Sequence, residues 1–376
     1  MTQNPNPTSG GSEPILFTRG IPAVEALPTK LISQCMQAVL EAPDAWSILQ
    51  YGQNAGYLPL RLLLAEQYGV AEDQVLVGNG SLHLQDLLAA ILVKQGDVVL
   101  VEQPSYDRAI RTFRRRGAKV IGIPLEQDGV NLEALEKAIK RQTPAFMYLV
   151  PDFQNPTSTT TSAEKRQALV EMAERYNFWL IEDIPYRSLR YSGESAPRLR
   201  AISPRRVLTI SSFSKLISPA LRVGYVIGST TLIEKLSKLS EETILTPVLP
   251  SQAVVVEFHK RGYFASNLKN LKQLYAPRLQ AMISSLKKHL PGMPFVEPEG
   301  GFFVSITLPE SANTSRLLAR AEKAGLILSD GRNFFADPLD DSQVKSRLGE
   351  RFVRLPFCAL TPTQIEEGVR RLASLI

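Results

Sequence analysis

Short apolar runs alternate with amphipathic helical stretches through the middle of the chain, from about residue 74 to residue 228. Seven of these runs predict buried strands: Gln74–Val77, Asp97–Glu102, Lys119–Pro124, Ala145–Val150, Phe178–Glu182, Arg206–Ile210 and Val223–Gly228. Helical patterns lie between most of them, including Leu82–Val93, Tyr106–Arg116, Leu132–Arg141 and Ala163–Tyr176. This alternation predicts an α/β fold with a mainly parallel, seven-stranded sheet between helices.

The C-terminal third predicts a second, smaller α+β unit. A long helical pattern covers Phe264–Leu290, and strands near Gly301–Thr307 and Phe352–Leu355 alternate with helices near Ser315–Ala324 and from Thr361. We therefore predict a large domain over residues 46–262 and a small domain over 263–376, with residues 1–45 packing with the small domain or along the boundary. The first fourteen residues are polar and rich in Pro and Gly, which predicts a disordered tail and not a secretory signal.

Composition narrows the function classes only modestly. The 376 residues are 44% hydrophobic, enough for a large core, and the formal charge of +6 is spread along the chain. That charge is weak evidence for a nucleic-acid partner and fits an enzyme that handles small anions equally well. The two cysteines make no disulfide framework, and the three histidines lack metal-ligand spacing. The longest apolar runs are too short to span a bilayer, so we expect a cytoplasmic protein without metal, membrane or nucleic-acid partner.

One basic run needs separate consideration, namely Arg111, Arg114, Arg115 and Arg116. It could form a nucleic-acid patch. A solvated helix end before Gly117 is the favoured interpretation, because cationic side chains suit a helix C-terminus.

Residues that directly follow the predicted strands carry the chemistry. Ligands of open α/β sheets bind beyond the carboxyl ends of the strands. Five strand ends offer an anion cradle, an aromatic ring, an amide, a carboxylate with a phenol, and a lysine. The segments are Gly78–Ser81, Gln103–Tyr106, Pro151–Pro156, Asp183–Tyr186 and Ser211–Lys215. Their convergence on one sheet edge predicts a single active site.

These segments resemble the class I and II aminotransferases, which are pyridoxal-phosphate (PLP) enzymes of fold type I. The resemblance runs from about Phe17 to the C-terminus and is closest to the 2-aminoadipate and kynurenine aminotransferase branch. Its most specific stretch is Ser212–Tyr225, SFSKLISPALRVGY. Further matches are Tyr51–Gly56 leading to Leu60-Arg61, then Gln154–Thr157 and Gly300–Phe303.

The resemblance implies a role for each residue that would meet the cofactor ring. Lys215 would hold PLP as a Schiff base and later move a proton between the substrate Cα and C4′, which requires a lowered pKa. Asp183 would pair with the pyridine nitrogen, although an Asp after a strand also often caps a helix. Asn155 and Tyr186 would donate to the phenolic oxygen, and Tyr106 would stack on the ring.

The resemblance also implies a phosphate site. The phosphate would sit at the helix opening at Gly80, Ser81 and Leu82, where free N–H groups and the helix dipole attract an anion. Ser81 is also a candidate helix cap. Ser212, Ser214 and Arg222 would complete the site, and Tyr51 matches the tyrosine that reaches the phosphate from the partner subunit. The chain would then be a homodimer with shared active sites.

Substrate-binding residues follow from the same resemblance. Arg354 matches the arginine that grips the substrate α-carboxylate, a task suited to a bidentate guanidinium. Phe17–Pro22, which contains Gly20, matches a segment that lines the substrate pocket, and Asn155 would also face the substrate.

Several positions depart from the usual family pattern. Ser158 replaces a glycine, Ser188 an acidic residue, Leu82 and His83 a Gln-Gln pair, and Pro356 a Ser or Asn. None belongs to the Lys, Asp, Asn and Arg core. They therefore bear on substrate choice and, less strongly, on reaction type.

Three functions fit these residues to different degrees. The first is a PLP-dependent aminotransferase that passes an amino group from an L-amino acid to a 2-oxo acid. The second is a PLP-dependent lyase or cyclising enzyme on the same scaffold. The third, a regulator with a DNA-binding segment, is disfavoured because the aminotransferase pattern begins near residue 17. The apolar N-terminal segment, and the lack of a clear second carboxylate-binding arginine, favour apolar, aromatic or long substrate side chains over aspartate.

Overall fold

A computed structural model describes residues 13–340, 343–344 and 347–376 of the chain. The tail predicted for the first fourteen residues lies outside this part except for its last two. Within the described residues, no helix is both long and apolar enough to cross a membrane.

A central sheet of mixed direction organises the molecule. Its strands run, from one edge to the other, in the order Asp337–Pro338, Lys119–Glu126, Val98–Gln103, Phe146–Leu149, Trp179–Asp183, Val207–Ser212, Gly224–Ile227 and Val75–Gly78. Only Gly224–Ile227 runs antiparallel to its two neighbours in this path. The short strand Gly129–Val130 forms a hairpin with Lys119–Glu126.

The predicted α/β architecture is confirmed. Each of the seven predicted strands is present with ends within two residues of the prediction. Strands such as Val98–Gln103 and Phe146–Leu149 are buried at every position, because helices cover both faces of the sheet. The two-residue strands Gly129–Val130 and Asp337–Pro338 were not predicted, since they are too short to show a pattern.

Some helices begin at a side chain that caps them. Asn131 and Ser162 cap the helices that follow them by accepting hydrogen bonds from the N–H groups of Ala134 and Lys165. The α-helices are Thr29–Glu41, Trp46–Leu49, Leu58–Tyr68, Ser81–Leu92, Asp107–Arg115, Leu132–Arg141, Ala163–Tyr176, Leu199–Ile202, Thr230–Ile244, Leu249–Lys260, Tyr263–His289, Thr314–Lys323 and Pro362–Ala373.

The C-terminal part has its own small sheets and apolar core. Phe303–Thr307 pairs antiparallel with Phe352–Pro356, and the long helix Tyr263–His289 packs against the closing helix.

The N-terminal segment contacts both parts of the molecule. Ile15–Phe17 pairs in parallel with Leu326–Leu328, and the helix Thr29–Glu41 packs against Leu249–Lys260. The domain boundaries after residues 45 and 262 stay a prediction.

Candidate active site

A cavity of about 560 Å³ opens at the carboxyl ends of the strands, beneath the N-terminal segment and the loop at residues 329–334. All of the predicted site residues line it except Gly80 and Tyr51. They are Gly20, Ser81, Leu82, Tyr106, Asn155, Asp183, Tyr186, Ser212, Ser214, Lys215, Arg222 and Arg354. Residues far apart in the sequence therefore meet at one sheet edge.

Lys215 lies in the turn that follows the strand Val207–Ser212. Its Nζ donates a 2.7 Å hydrogen bond to the carbonyl oxygen of Gly20. Burial lowers the pKa of the Lys215 ammonium; Cys358 opposes this effect, whereas the charges of Arg354 and Arg222 add to it. A lysine in this setting is closer to its neutral, nucleophilic form than a surface lysine.

Asp183 ends the neighbouring strand and is buried. Its Oδ2 accepts hydrogen bonds of 2.8 Å from the Tyr148 hydroxyl and from Nε2 of Gln85, whereas its Oδ1 has no hydrogen-bond partner among the described residues. Burial raises the pKa of Asp183 to about 7, and the two hydrogen bonds oppose that rise. Asp183 caps no helix, so the alternative considered for this residue is wrong.

The helix Ser81–Leu92 points its N-terminus at the cavity. Gly80 occupies the cap position with φ 89°, and Ser81 is the first helical residue, so the expectation that Ser81 caps this helix is wrong. A Cβ on Gly80 would overlap the Arg222 guanidinium, which donates to the Asn79 carbonyl oxygen. Glycine thus lets a fixed positive charge approach the helix opening.

Arg354 lies at the opposite side of the cavity on the strand Phe352–Pro356. Its Nη1 donates a 2.9 Å hydrogen bond to Oδ1 of Asn155, and its Nη2 contacts the Thr18 carbonyl oxygen. The guanidinium lies over the rings of Phe303 and Phe334, and its buried Nε has no hydrogen-bond partner among the described residues. Arg354 thus brings a rigid positive charge to this side of the cavity.

Two phenols face the same space. Tyr186 packs edge-on against Phe303, and burial raises the pKa of its hydroxyl well above the usual value. Tyr106 precedes the helix Asp107–Arg115, and burial raises its pKa to about 12. Both hydroxyls are therefore neutral hydrogen-bonding groups at physiological pH.

The predicted phosphate ligand Tyr51 lies outside this cavity. It is 73% exposed, and Trp46 and Leu49 nearby are 70% and 67% exposed. Three large exposed side chains this close in sequence are candidates for a surface that contacts another molecule.

Four site residues were missed by the sequence reasoning. Gln85 lies one turn after Ser81 on the same helix face, so helical periodicity could have indicated it. Tyr148 lies within a strand and not after one. Arg108 and Arg111 line the cavity mouth, where Arg111 donates a 2.9 Å hydrogen bond to Asn333. The helix-end interpretation of the basic run was therefore wrong for Arg111.

The other three arginines of the basic run behave as that interpretation expects. Arg114 pairs with Asp337, and Arg115 and Arg116 pair with Asp86 at the end of their helix.

Of the departures from the family pattern, Ser158 has the clearest structural consequence. It adopts φ 65°, a conformation that favours glycine, and its hydroxyl donates to the Phe303 carbonyl oxygen. The hydrogen bond offsets part of the conformational cost and ties the Asn155 loop to the strand Phe303–Thr307, which pairs with the strand that carries Arg354.

The donor and acceptor set fits PLP. The unpartnered Oδ1 of Asp183 suits a protonated ring nitrogen, and the helix opening with Arg222 suits a phosphate dianion. The buried Lys215, whose pKa is lowered by that burial, suits a covalent link to an aldehyde.

Comparison with known proteins gives an independent view of the chain. The family model described as "Aminotransferase class I and II" matches residues 15–372. Aromatic-amino-acid aminotransferase 1 of Thermococcus litoralis is 32% identical, over 97% of this chain and 88% of its own length. The 2-aminoadipate transaminase of Thermus thermophilus is 33% identical, over 95% and 88% respectively.

A solved structure extends the likeness to three dimensions. An α-aminoadipate aminotransferase from Thermus thermophilus, complexed with N-(5'-phosphopyridoxyl)-L-leucine, superposes with a TM-score of 0.88 at 32% identity. The match covers 96% of this chain and 92% of the other. The similarity therefore includes the central sheet, the cavity and the C-terminal part.

Proposed function

The chain belongs to the class I and II aminotransferases and is a PLP-dependent transaminase, and on that premise we propose that Lys215 is its cofactor-binding and proton-transferring residue. The proposal rests on one observation. A single cavity is lined both by Lys215, a buried lysine of lowered pKa, and by Asp183, whose Oδ1 has no hydrogen-bond partner among the described residues. When bound, PLP supplies an electron sink that stabilises negative charge at the substrate Cα.

The cofactor would be held from three sides. Asp183 would accept a hydrogen bond from the ring nitrogen, and the N–H groups at Ser81 and Leu82, with Arg222, would bind the phosphate. Tyr106 would cover the ring. The Nδ2 of Asn155 and the Tyr186 hydroxyl would donate to the phenolic oxygen, since Oδ1 of Asn155 already accepts from Arg354. Gly80 would contribute by admitting Arg222.

The chain's own residues would orient the substrate and move its proton. The Arg354 guanidinium, which lines the cavity, would bind the α-carboxylate of the amino acid and of the 2-oxo acid. The Lys215 Nζ would then act as the base at the substrate Cα. Gly20, whose carbonyl oxygen accepts from Lys215, and Ser329 line the cavity with it.

The mouth of the cavity favours a long substrate side chain with an anionic end. Arg19, Arg108 and Arg111 line it, and neither Arg19 nor Arg111 forms an ion pair with a described carboxylate. The sequence showed no clear second carboxylate-binding arginine, and Arg19 and Arg111 are the candidates for that role in this proposal. One relative is named for 2-aminoadipate and another for aromatic amino acids, and these are the two classes of substrate to compare.

The shared active site would make the protein a homodimer, with the partner subunit's Tyr51 at the phosphate. The exposed Trp46, Leu49 and Tyr51 support this assembly. A cytoplasmic location stays a prediction.

Borohydride reduction followed by peptide mass mapping tests the assignment of Lys215. We expect the reduced cofactor on the peptide that contains Lys215, no modification in Lys215→Ala, and normal modification in Lys272→Ala, a lysine outside the cavity. In turnover assays, 2-aminoadipate should react faster than norleucine, which has the same carbon chain without the second carboxylate. Cofactor attached to a different lysine, or ammonia released from an amino acid without a 2-oxo acid, would contradict the proposal.

A further inference from the structure

Two neutral donors converge on a single oxygen of Asp183. Gln85 Nε2 and the Tyr148 hydroxyl each lie 2.8 Å from Oδ2, and they lie 3.5 Å from each other. They come from different elements, the helix Ser81–Leu92 and the strand Phe146–Leu149. The two hydrogen bonds hold the carboxyl group in one orientation about its Cβ–Cγ bond, and Oδ1 is the oxygen left for a ligand.

The Gln85 side chain has no other role that accounts for its burial. It is 1% exposed, and its Oε1 has no hydrogen-bond partner. The reverse amide orientation would place two oxygens against each other, so the carboxylate determines which end of the amide faces it. An apolar side chain would fill the same space without a buried, unsatisfied oxygen. The hydrogen bond that the amide donates to Asp183 is therefore what favours a glutamine at this position.

No cation in the described part of the chain acts on Asp183. The titratable groups that interact with its charge are the phenols of Tyr106, Tyr148, Tyr186 and Tyr225. The only influences that oppose the effect of burial on the Asp183 pKa are the hydrogen bonds from Tyr148 and Gln85. Removal of either donor therefore favours the protonated, neutral carboxyl.

We propose that Gln85 is a positioning residue that, together with Tyr148, keeps Asp183 anionic and presents Oδ1 to the ring nitrogen of PLP. The inference rests on the proposed function. Its consequence is that the Asp183 proton affinity, and with it the protonation of the bound ring, is set by a residue that does not touch the cofactor.

The protonation state of the ring nitrogen gives the direct test. Wild type, Gln85→Met and Tyr148→Phe would be loaded with PLP labelled with 15N at the ring and compared by NMR. We expect the wild-type resonance at the protonated position, a shift toward the unprotonated position in both variants, and cofactor affinity about tenfold lower, as for loss of a hydrogen bond to a charged group.

Gln252→Met provides the matched control. Gln252 is also fully buried, but its Oε1 accepts from the Tyr57 N–H, far along the chain from Asp183. It should lose stability without moving the 15N resonance. A wild-type resonance in Gln85→Met would overturn the inference. Failure of wild type to bind PLP would instead overturn the proposed function.

The cofactor-free protein gives a second readout that needs no catalysis. Burial raises the Asp183 pKa from 3.8 to about 7, so the native state retains a proton that the unfolded chain has lost, and stability falls as the pH rises through this window. In Gln85→Met the stability should continue to fall above pH 7, so that the unfolding equilibrium constant rises by up to about tenfold per pH unit. Urea unfolding at pH 6, 7 and 8 measures it. Burial also raises the pKa of Glu102 and of Glu182, so both groups lower the stability as the pH rises. Their contribution is the same in every variant and cancels when a variant is compared with wild type. The inference would be contradicted if Gln85→Met lowered the free energy of unfolding by the same amount at all three pH values, which is the result expected for Gln252→Met.

Discussion

At the scale of single residues, Gly80 shows how a backbone requirement creates an anion site. Its φ of 89° is unfavourable for other residues, and a Cβ would occupy the place of the Arg222 guanidinium. Glycine meets both requirements, so the helix opening keeps its free N–H groups and gains a cation. The conformational and steric requirements can be separated by experiment.

We expect Gly80→Ala to weaken PLP binding at least about tenfold, because the methyl group displaces Arg222 from the phosphate site. Gly69→Ala is the matched control: Gly69 also has positive φ, at 64°, but nothing lies within 4 Å of its Cβ position. Both substitutions should cost about 1 kcal/mol of stability from backbone strain. Cofactor titration by fluorescence separates them, and equal affinities for the two variants would contradict this account of Arg222.

At the scale of elements, a buried ion triad connects the loops that carry the active site. Asp152 accepts hydrogen bonds from Arg166 at 2.9 Å and Arg187 at 3.0 Å, and Arg166 is fully buried. Asp152 lies in the loop before Asn155, and Arg187 directly follows Tyr186. The triad therefore holds the ends of two neighbouring strands in a fixed relation to each other.

We expect Asp152→Asn to lower the free energy of unfolding by about 3 kcal/mol or more, because the Arg166 charge stays buried without a counter-charge. Urea denaturation measures this change. Glu367→Gln, which weakens ion pairs with the exposed Arg370 and the partly buried Arg371, should cost much less, because Glu367 itself is accessible to water. Similar losses in the two variants would indicate that the triad contributes only surface electrostatics.

Elements also show what a sequence can and cannot predict. The strands were predictable because buried runs such as Val98–Val101 are apolar at every position, and Asp183 and Lys215 were predictable because they end such a run or follow it within a few residues. Gln85 could be placed on the correct helix face, but its partner depends on the packing of that helix on the sheet. Arg111 meets Asn333, 222 positions later, and no local pattern carries that information.

At the scale of the whole molecule, the exposed side chains within residues 46–51 support the homodimer proposed above. Trp46, Leu49 and Tyr51 lie close together in sequence and are mostly exposed in the single chain. Burial of a Trp or Tyr side chain removes roughly 150–250 Å² from water, so a symmetric contact at this segment would be strongly favourable. It would also bring Tyr51 to an active site other than its own.

Subunit complementation distinguishes a shared active site from two independent ones. We expect Tyr51→Ala and Lys215→Ala homodimers each to be weakly active or inactive. After the two variants are unfolded together and refolded, a mixed dimer would contain one site that combines an intact Lys215 with the partner subunit's Tyr51. Random pairing should then restore about a quarter of wild-type activity per chain, since half of the dimers are mixed and half of their sites are intact. Refolded single variants serve as controls. If Tyr51 served its own subunit, no mixed site would be complete and activity would stay at the level of the parents.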